Sequence, residues 1–227
     1  MSYPENPETI ILKNRFYPKG LKEIDIWNYY QKVRSLVVKN TSNRDLMLAI
    51  ITYINNPILR RKGKSGVIKL NESNYNDVIT GRTITIYSTM DRVETFGIID
   101  IDVDEWKWGR IAAMDVYSYI MDSAPVIRTA EIRYTGKGGF HIICNFKSPM
   151  RIESIKFLLQ KILQSSQLSN KYTIEQKRRP NIPNLDLSLN KFKGAYITEG
   201  SLSILGLKCM RVDYNDLLRF EPHRAKI

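Results

Sequence analysis

The sequence predicts an α+β protein in which a mixed or antiparallel sheet is flanked by helices and preceded by a smaller N-terminal α/β lobe. Three observations carry this expectation. Apolar residues switch between helical and alternating spacing along the chain, and the middle of the chain reads strand, helix, strand, turn, strand. The third observation is compositional. With 227 residues, 43% of them hydrophobic and 26% charged, the chain is long enough to bury a sizeable core and ordinary for a globular protein. There are no internal repeats, low-complexity tracts or long linkers, so one domain over 1–227 is expected, with a lobe at 1–90 and a second at 91–227.

Each element has its own signal. Residues 1–20 are rich in Pro and Asn and read as irregular, with a short strand at Ile10-Ile-Leu12. From Leu21 to Val37 the positions Ile26, Tyr29, Tyr30, Val33, Leu36 and Val37 fall at helical spacing, giving an amphipathic helix with a basic outer face. The β-branched content of Leu46–Ile54 favours strand over helix. Strands follow at Thr83–Tyr87 and Glu94–Val103. A helix over Trp108–Met121 is expected to turn Ile111, Met114, Tyr117 and Met121 inward and to end at Ser123-Ala-Pro125. Val126–Tyr134 and Phe140–Phe146 form a hairpin across the turn Gly136-Lys-Gly-Gly139. A helix over Ile152–Leu163, a strand at Asn184–Leu189, strand material in Leu202–Val212 and a short helix over Tyr214–Phe220 complete the series.

The chemistry concentrates at Phe96-Gly-Ile-Ile-Asp-Ile-Asp-Val-Asp104. On a strand, residues two apart project to the same face about 6.6 Å apart, so Asp100, Asp102 and Asp104 line one face. Carboxylates held that close repel one another unless a cation offsets them, and the fitting cation is Mg²⁺ or Mn²⁺. The bland alternative is an exposed polar strand face or an acidic turn. The hairpin adds Thr135-Gly-Lys-Gly-Gly-Phe-His141, where glycines let amides approach an anion, Lys137 adds charge, and His141 faces the opposite side from Phe140.

Charge sets the partner class. Thirty-five Lys and Arg against twenty-three Asp and Glu leave +12, with a pI near 9.6, which favours a polyanionic partner such as nucleic acid or an anionic membrane surface. Two clusters stand out: Arg60, Arg61, Lys62 and Lys64 on a glycine-containing stretch, and Lys177, Arg178 and Arg179 before Pro180. Each reads as a backbone-binding patch or simply as a solvated loop. No apolar run approaches the ~20 residues of a membrane span, and the N-terminus does not resemble a signal peptide, so an intracellular, cytoplasmic protein with no membrane partner is expected. Cys144 and Cys209 read as small reduced core residues, and with only His141 and His223 beside them a Cys/His zinc site is not expected.

Three segments in order resemble the archaeo-eukaryotic primase superfamily. Ile99-Asp-Ile-Asp-Val-Asp104 is similar to its first motif, an apolar strand ending in D-x-D, and Tyr134-Thr-Gly-Lys-Gly-Gly-Phe-His-Ile142 to its second. Leu185-Asp186 matches the third. The stretch on to Gly200-Ser-Leu202, with the early Phe16-Tyr-Pro-Lys-Gly-Leu and Trp27-Asn-Tyr-Tyr, is similar to the polymerase domain of bacterial ligase D, so the resemblance spans about Phe16 to Val212. It implies a palm-like catalytic lobe and a template-dependent nucleotidyltransferase using two divalent ions. Asp100, Asp102 and Asp186 would be the catalytic metal ligands, with Asp104 at the rim. Lys137, Gly138, Gly139, His141 and Ser201 would bind the nucleotide, NTP or dNTP. DNA is the implied template, and a primase large subunit, a helicase or a ligase is a possible partner. Cations that the family places near Ser201 are replaced here by Ile197 or Thr198 and by Ser203, with Lys191, Lys193 and Lys208 as substitutes. Priming and end-joining or repair synthesis stay open, as does a nucleic-acid-binding module of the same fold with weak catalysis. Another metal-dependent phosphate enzyme, such as a nuclease, would share the carboxylates but leave the glycine-basic-histidine turn unexplained.

Overall fold

The structure, a computed structural model, describes residues 4, 6–60, 62–63, 66–175 and 182–227, with backbone alone for 59–60, 62–63 and 66–67. In chain order the strands and helices are β1 (Ile10–Leu12), β2 (Leu21–Lys22), α1 (Glu23–Lys32), α2 (Arg34–Thr41), β3 (Leu46–Tyr53), β4 (Asn56–Arg60), β5 (Lys62–Gly63), β6 (Gly66–Val67), α3 (Tyr75–Val78) and β7 (Thr83–Thr89). They continue with β8 (Val93–Asp102), α4 (Trp106–Ser123), β9 (Ile127–Tyr134), β10 (Phe140–Arg151), α5 (Ile152–Gln164), α6 (Leu168–Lys171), β11 (Thr173–Ile174), β12 (Asn184–Asp186), β13 (Ala195–Ile197), β14 (Met210–Val212) and α7 (Tyr214–Leu217). A last 3₁₀ turn covers Pro222–Ala225. Among the described residues, no helix is long and apolar enough to cross a membrane.

The chain divides into two compact units. The first comprises Met1–Thr89, Ala195–Cys209 and His223–Ile227. Its main sheet is antiparallel in the order β13-β7-β3-β4. The expected long helix over Leu21–Val37 is two helices broken at Val33, whose φ of −100° and ψ of 10° leave the helical region. Ile26, Tyr30 and Val37 are buried as the spacing requires, while Leu36 is exposed because α2 starts a new phase. The Tyr30 hydroxyl donates to the Ile84 carbonyl and the Tyr75 hydroxyl to the Tyr30 carbonyl, so both buried phenols are satisfied.

The second unit comprises Met90–Gly194 and Met210–Pro222. The lobe expected over 91–227 is therefore interrupted, because residues 195–209 add β13 to the edge of the first unit's sheet. The second unit's sheet runs β11-β12-β8-β10-β9-β14 and is mixed, with only β11 and β12 parallel. One face is apolar. Tyr134, Phe140 and Phe220 pack as an aromatic cluster with centroids 4.9–5.9 Å apart. Helix α5 presents Ile152, Ile155, Leu159 and Leu163, a stripe at i, i+3, i+7 and i+11.

Helix α4 departs from the expected phase. Gly109, Ala112, Ala113, Val116 and Ile120 are its buried positions, while Ile111 and Met121 are exposed. Small residues win the inner face because the helix lies close to the strand ends. A Cβ on Gly109 would come within 2.9 Å of Val103 Cγ1 and 3.0 Å of the Gly138 carbonyl oxygen. Hydrophobic size alone pointed to the opposite stripe.

Candidate active site

Strand register builds the site. On the sheet face opposite the aromatic cluster, β12, β8 and β10 bring Asp186 opposite Asp100 and Asp100 opposite His141. Residues paired across neighbouring antiparallel strands share a face and stand about 5 Å apart, so two carboxylates and an imidazole form one transverse row. Asp102 lies two residues beyond Asp100 on the same face and opposite Asn184. Strand β8 ends at Asp102, leaving Asp104 exposed beyond it.

His141 is 4% exposed. Its Nε2 lies 3.5 Å from Asp100 Oδ1. Burial, reinforced by the Arg133 guanidinium, pushes the imidazole pKa down to about 3. The ring is thus neutral at pH 7, and its contact with Asp100 is a dipolar one rather than an ion pair. Its Nδ1 has no hydrogen-bond partner among the described residues.

Neighbouring groups fix the carboxylates. The Asp186 side chain accepts from the Ser188 amide at 2.6 Å and from the Ser188 hydroxyl at 3.1 Å, a local turn that sets its direction. Where the β12–β8 ladder stops, Asn190 takes over. Its Oδ1 accepts from the Ile98 amide at 2.8 Å, and its Nδ2 donates to the Ile98 carbonyl at 2.6 Å and the Leu187 carbonyl at 3.1 Å. Asn190 is 1% exposed, so it holds β8 two residues before Asp100 as a strand neighbour would. Sequence reasoning gave neither Asn190 nor Ser188 a role. An Asx turn after Asp186 is the signal that could have found the latter.

The turn Gly136–Gly139 closes against the end of β8. A Cβ on Gly139 would meet the Ile101 carbonyl oxygen at 2.6 Å, so only glycine permits this approach. Thr135 secures the turn, its amide and hydroxyl both donating to the Gly139 carbonyl, at 3.1 and 3.0 Å. Lys137 is exposed at its tip.

Other expected residues belong to the first unit. Ser201 belongs to the first unit and is fully buried. Its hydroxyl accepts from the Ile86 amide at 2.6 Å and donates to the Leu202 carbonyl at 3.1 Å. Thr198 is buried and bonded to Ser88 at 2.9 Å. Lys208 lines a cavity of about 650 Å³ in the first unit, with Lys32 and Lys226. The backbone of Arg60 and Lys62 lies in β4 and β5, whereas Arg61, Lys64, Lys177, Arg178 and Arg179 lie outside the described residues.

Three carboxylates on two neighbouring strands offer the hard oxygen donors that a divalent cation takes. As placed they have not closed on one point: no group of three His, Cys, Asp or Glu among the described residues is arranged to hold a metal ion. The donor chemistry and the shared face fit the ion.

No protein-family model and no curated protein matches the chain. Among solved structures, it is similar to the polymerase domain of Mycobacterium tuberculosis ligase D in complex with DNA, with a TM-score of 0.74 over 95% of this chain and 90% of that one at 14% identity. The fold is that of a primase-like polymerase domain. The α+β expectation and the expected likeness in fold to a ligase D polymerase domain are thereby met.

Proposed function

We propose that the chain is a template-dependent nucleotidyltransferase, a DNA primase or primer-extending polymerase that uses two divalent ions, Mg²⁺ or Mn²⁺. One observation carries the reading: Asp186, Asp100 and His141 stand side by side on adjacent strands, with Asp102 beside them, in a chain with the fold of a polymerase domain. Asp100, Asp102 and Asp186 would hold the ions. When bound, these supply Lewis-acid charge to a 3′-hydroxyl and to the departing pyrophosphate.

The chain's own groups bind and orient. Lys137 and the amides around Gly138 and Gly139 offer donors to the triphosphate beside the neutral, buried His141, which holds the edge of Asp100. Ser201, whose hydroxyl bonds Ile86 and Leu202, is the nucleotide-binding residue proposed from the first unit. DNA is the proposed template, and the basic residues Arg60, Arg61, Lys62, Lys64, Lys177, Arg178 and Arg179 would meet its backbone without reading sequence.

A specific observation favours a second reading, a nucleic-acid-binding module of the same fold with weak catalysis. The positions expected to supply triphosphate-binding cations hold Ile197, Thr198 and Ser203, and all three are buried. The test is synthesis on a DNA template with Mg²⁺ or Mn²⁺ and labelled ribo- or deoxyribonucleotides, with and without a primer. Product with a primer alone indicates an extending or end-joining polymerase, and product without one a primase. Template binding with no product in any arm leaves the module reading.

A further inference from the structure

We infer that Arg133 and Arg211 are phosphate-binding residues that hold the outer phosphates of the incoming nucleotide, on the far side of His141 from the carboxylates. The inference rests on the nucleotidyltransferase reading and deepens it. The row described above does not stop at His141. His141 pairs with Arg133 on β9, and Arg133 pairs with Arg211 on β14. Five consecutive strands thus place Asp186, Asp100, His141, Arg133 and Arg211 on one transverse line of one face.

Charge along this line changes sign. It runs from two carboxylates through the His141 imidazole to two guanidiniums. At a strand spacing of about 4.8 Å, the step from Asp100 to Arg133 is roughly 10 Å along the sheet. A nucleotide with its reacting phosphate at the carboxylates and its outer phosphates running across β9 meets rising positive charge. These guanidiniums would supply the cationic contacts that Ile197, Thr198 and Ser203 do not.

Glu131 organises the pair. Its carboxylate lies 3.1 Å from Arg133 Nη2 and 3.8 Å from Arg211 Nη1, bridging both. The Arg133 side chain is 15% exposed and that of Arg211 57%, so one fork is held in the sheet face and the other reaches solvent. A fixed planar fork suits bidentate phosphate recognition. The competing account is an ion-pair cluster that merely ties β9 to β14. The two accounts predict opposite outcomes when Glu131 loses its charge.

The experiment titrates the full chain, in Mg²⁺, with inorganic tripolyphosphate, pyrophosphate and orthophosphate, which carry no base or sugar. Wild type is expected to bind tripolyphosphate most tightly. Arg133→Gln and Arg211→Gln should each weaken tripolyphosphate about tenfold while moving orthophosphate little, and Arg133→Lys should restore part of the loss. Glu131→Gln should tighten tripolyphosphate by removing the negative charge that competes with it. No preference for tripolyphosphate in wild type, unchanged affinity in folded Arg211→Gln, or weakened affinity in Glu131→Gln overturns the inference. Synthesis by the same proteins separates the two claims. A rise in nucleotide KM with little change in kcat for Arg211→Gln supports the inference, whereas synthesis with unchanged KM refutes it and leaves the nucleotidyltransferase reading intact. The expected tripolyphosphate pattern without synthesis in any protein refutes that reading and leaves the phosphate site standing.

Discussion

Asp104 and Asp102 are chemically identical and two residues apart, yet the structure separates them. Asp102 is the last residue of β8, paired in register with Asn184, while Asp104 is exposed past the strand end. Asp104→Ala is therefore expected to keep template-directed synthesis within a few-fold of wild type, and a loss comparable to that of Asp102→Ala in a primer-extension assay would put Asp104 among the ligands. Asn190 makes a prediction about stability. Replacing it by Ala strands the buried amide and carbonyl of Ile98, each worth about 1–3 kcal/mol when unsatisfied. A loss of roughly 3 kcal/mol should appear in urea unfolding, and a change under 1 kcal/mol would show that β8 does not depend on this side chain.

At the scale of elements, α4 shows how close approach overrides hydrophobic size. Gly109→Val should destabilise the protein by about 1–3 kcal/mol, because the added carbons collide with Val103 and the Gly138 carbonyl. Ile111→Ala, on the exposed face, should cost under about 0.5 kcal/mol. Thermal unfolding of the two variants gives the comparison, and equal effects would place the inner face where size alone puts it. The hairpin β9–β10 gives a chemical readout of the same packing. Cys144 lies inside it with its thiol pKa pushed up by burial, and Cys209 is buried in the first unit. Iodoacetamide should label both only after unfolding, and rapid labelling of the native protein would contradict this burial.

Over the whole molecule, what was legible in the sequence followed the range of the interactions involved. Strand alternation around Asp100 and Asp102, the glycine turn and the α5 stripe are local, and the structure has them where the spacing put them. The break at Val33 and the inverted face of α4 depend on what each helix packs against, which no periodicity records. The return of 195–209 to β7 is a pairing across more than a hundred residues, and a three-residue strand carries almost no signal of its own. The same limit hid Arg133 and Arg211, ordinary basic residues until register sets them in line with His141. The net charge of +12 is itself a whole-molecule quantity, and it predicts that DNA affinity falls steeply between low and physiological salt in fluorescence anisotropy; a flat response would remove the polyanion argument. The central claim is that the carboxylate row performs nucleotidyl transfer. Its most direct test measures template-directed synthesis and template binding side by side for wild type and for Asp100→Ala with Asp102→Ala. Synthesis abolished with DNA affinity nearly unchanged is the predicted result, and synthesis that persists at the wild-type rate would contradict it.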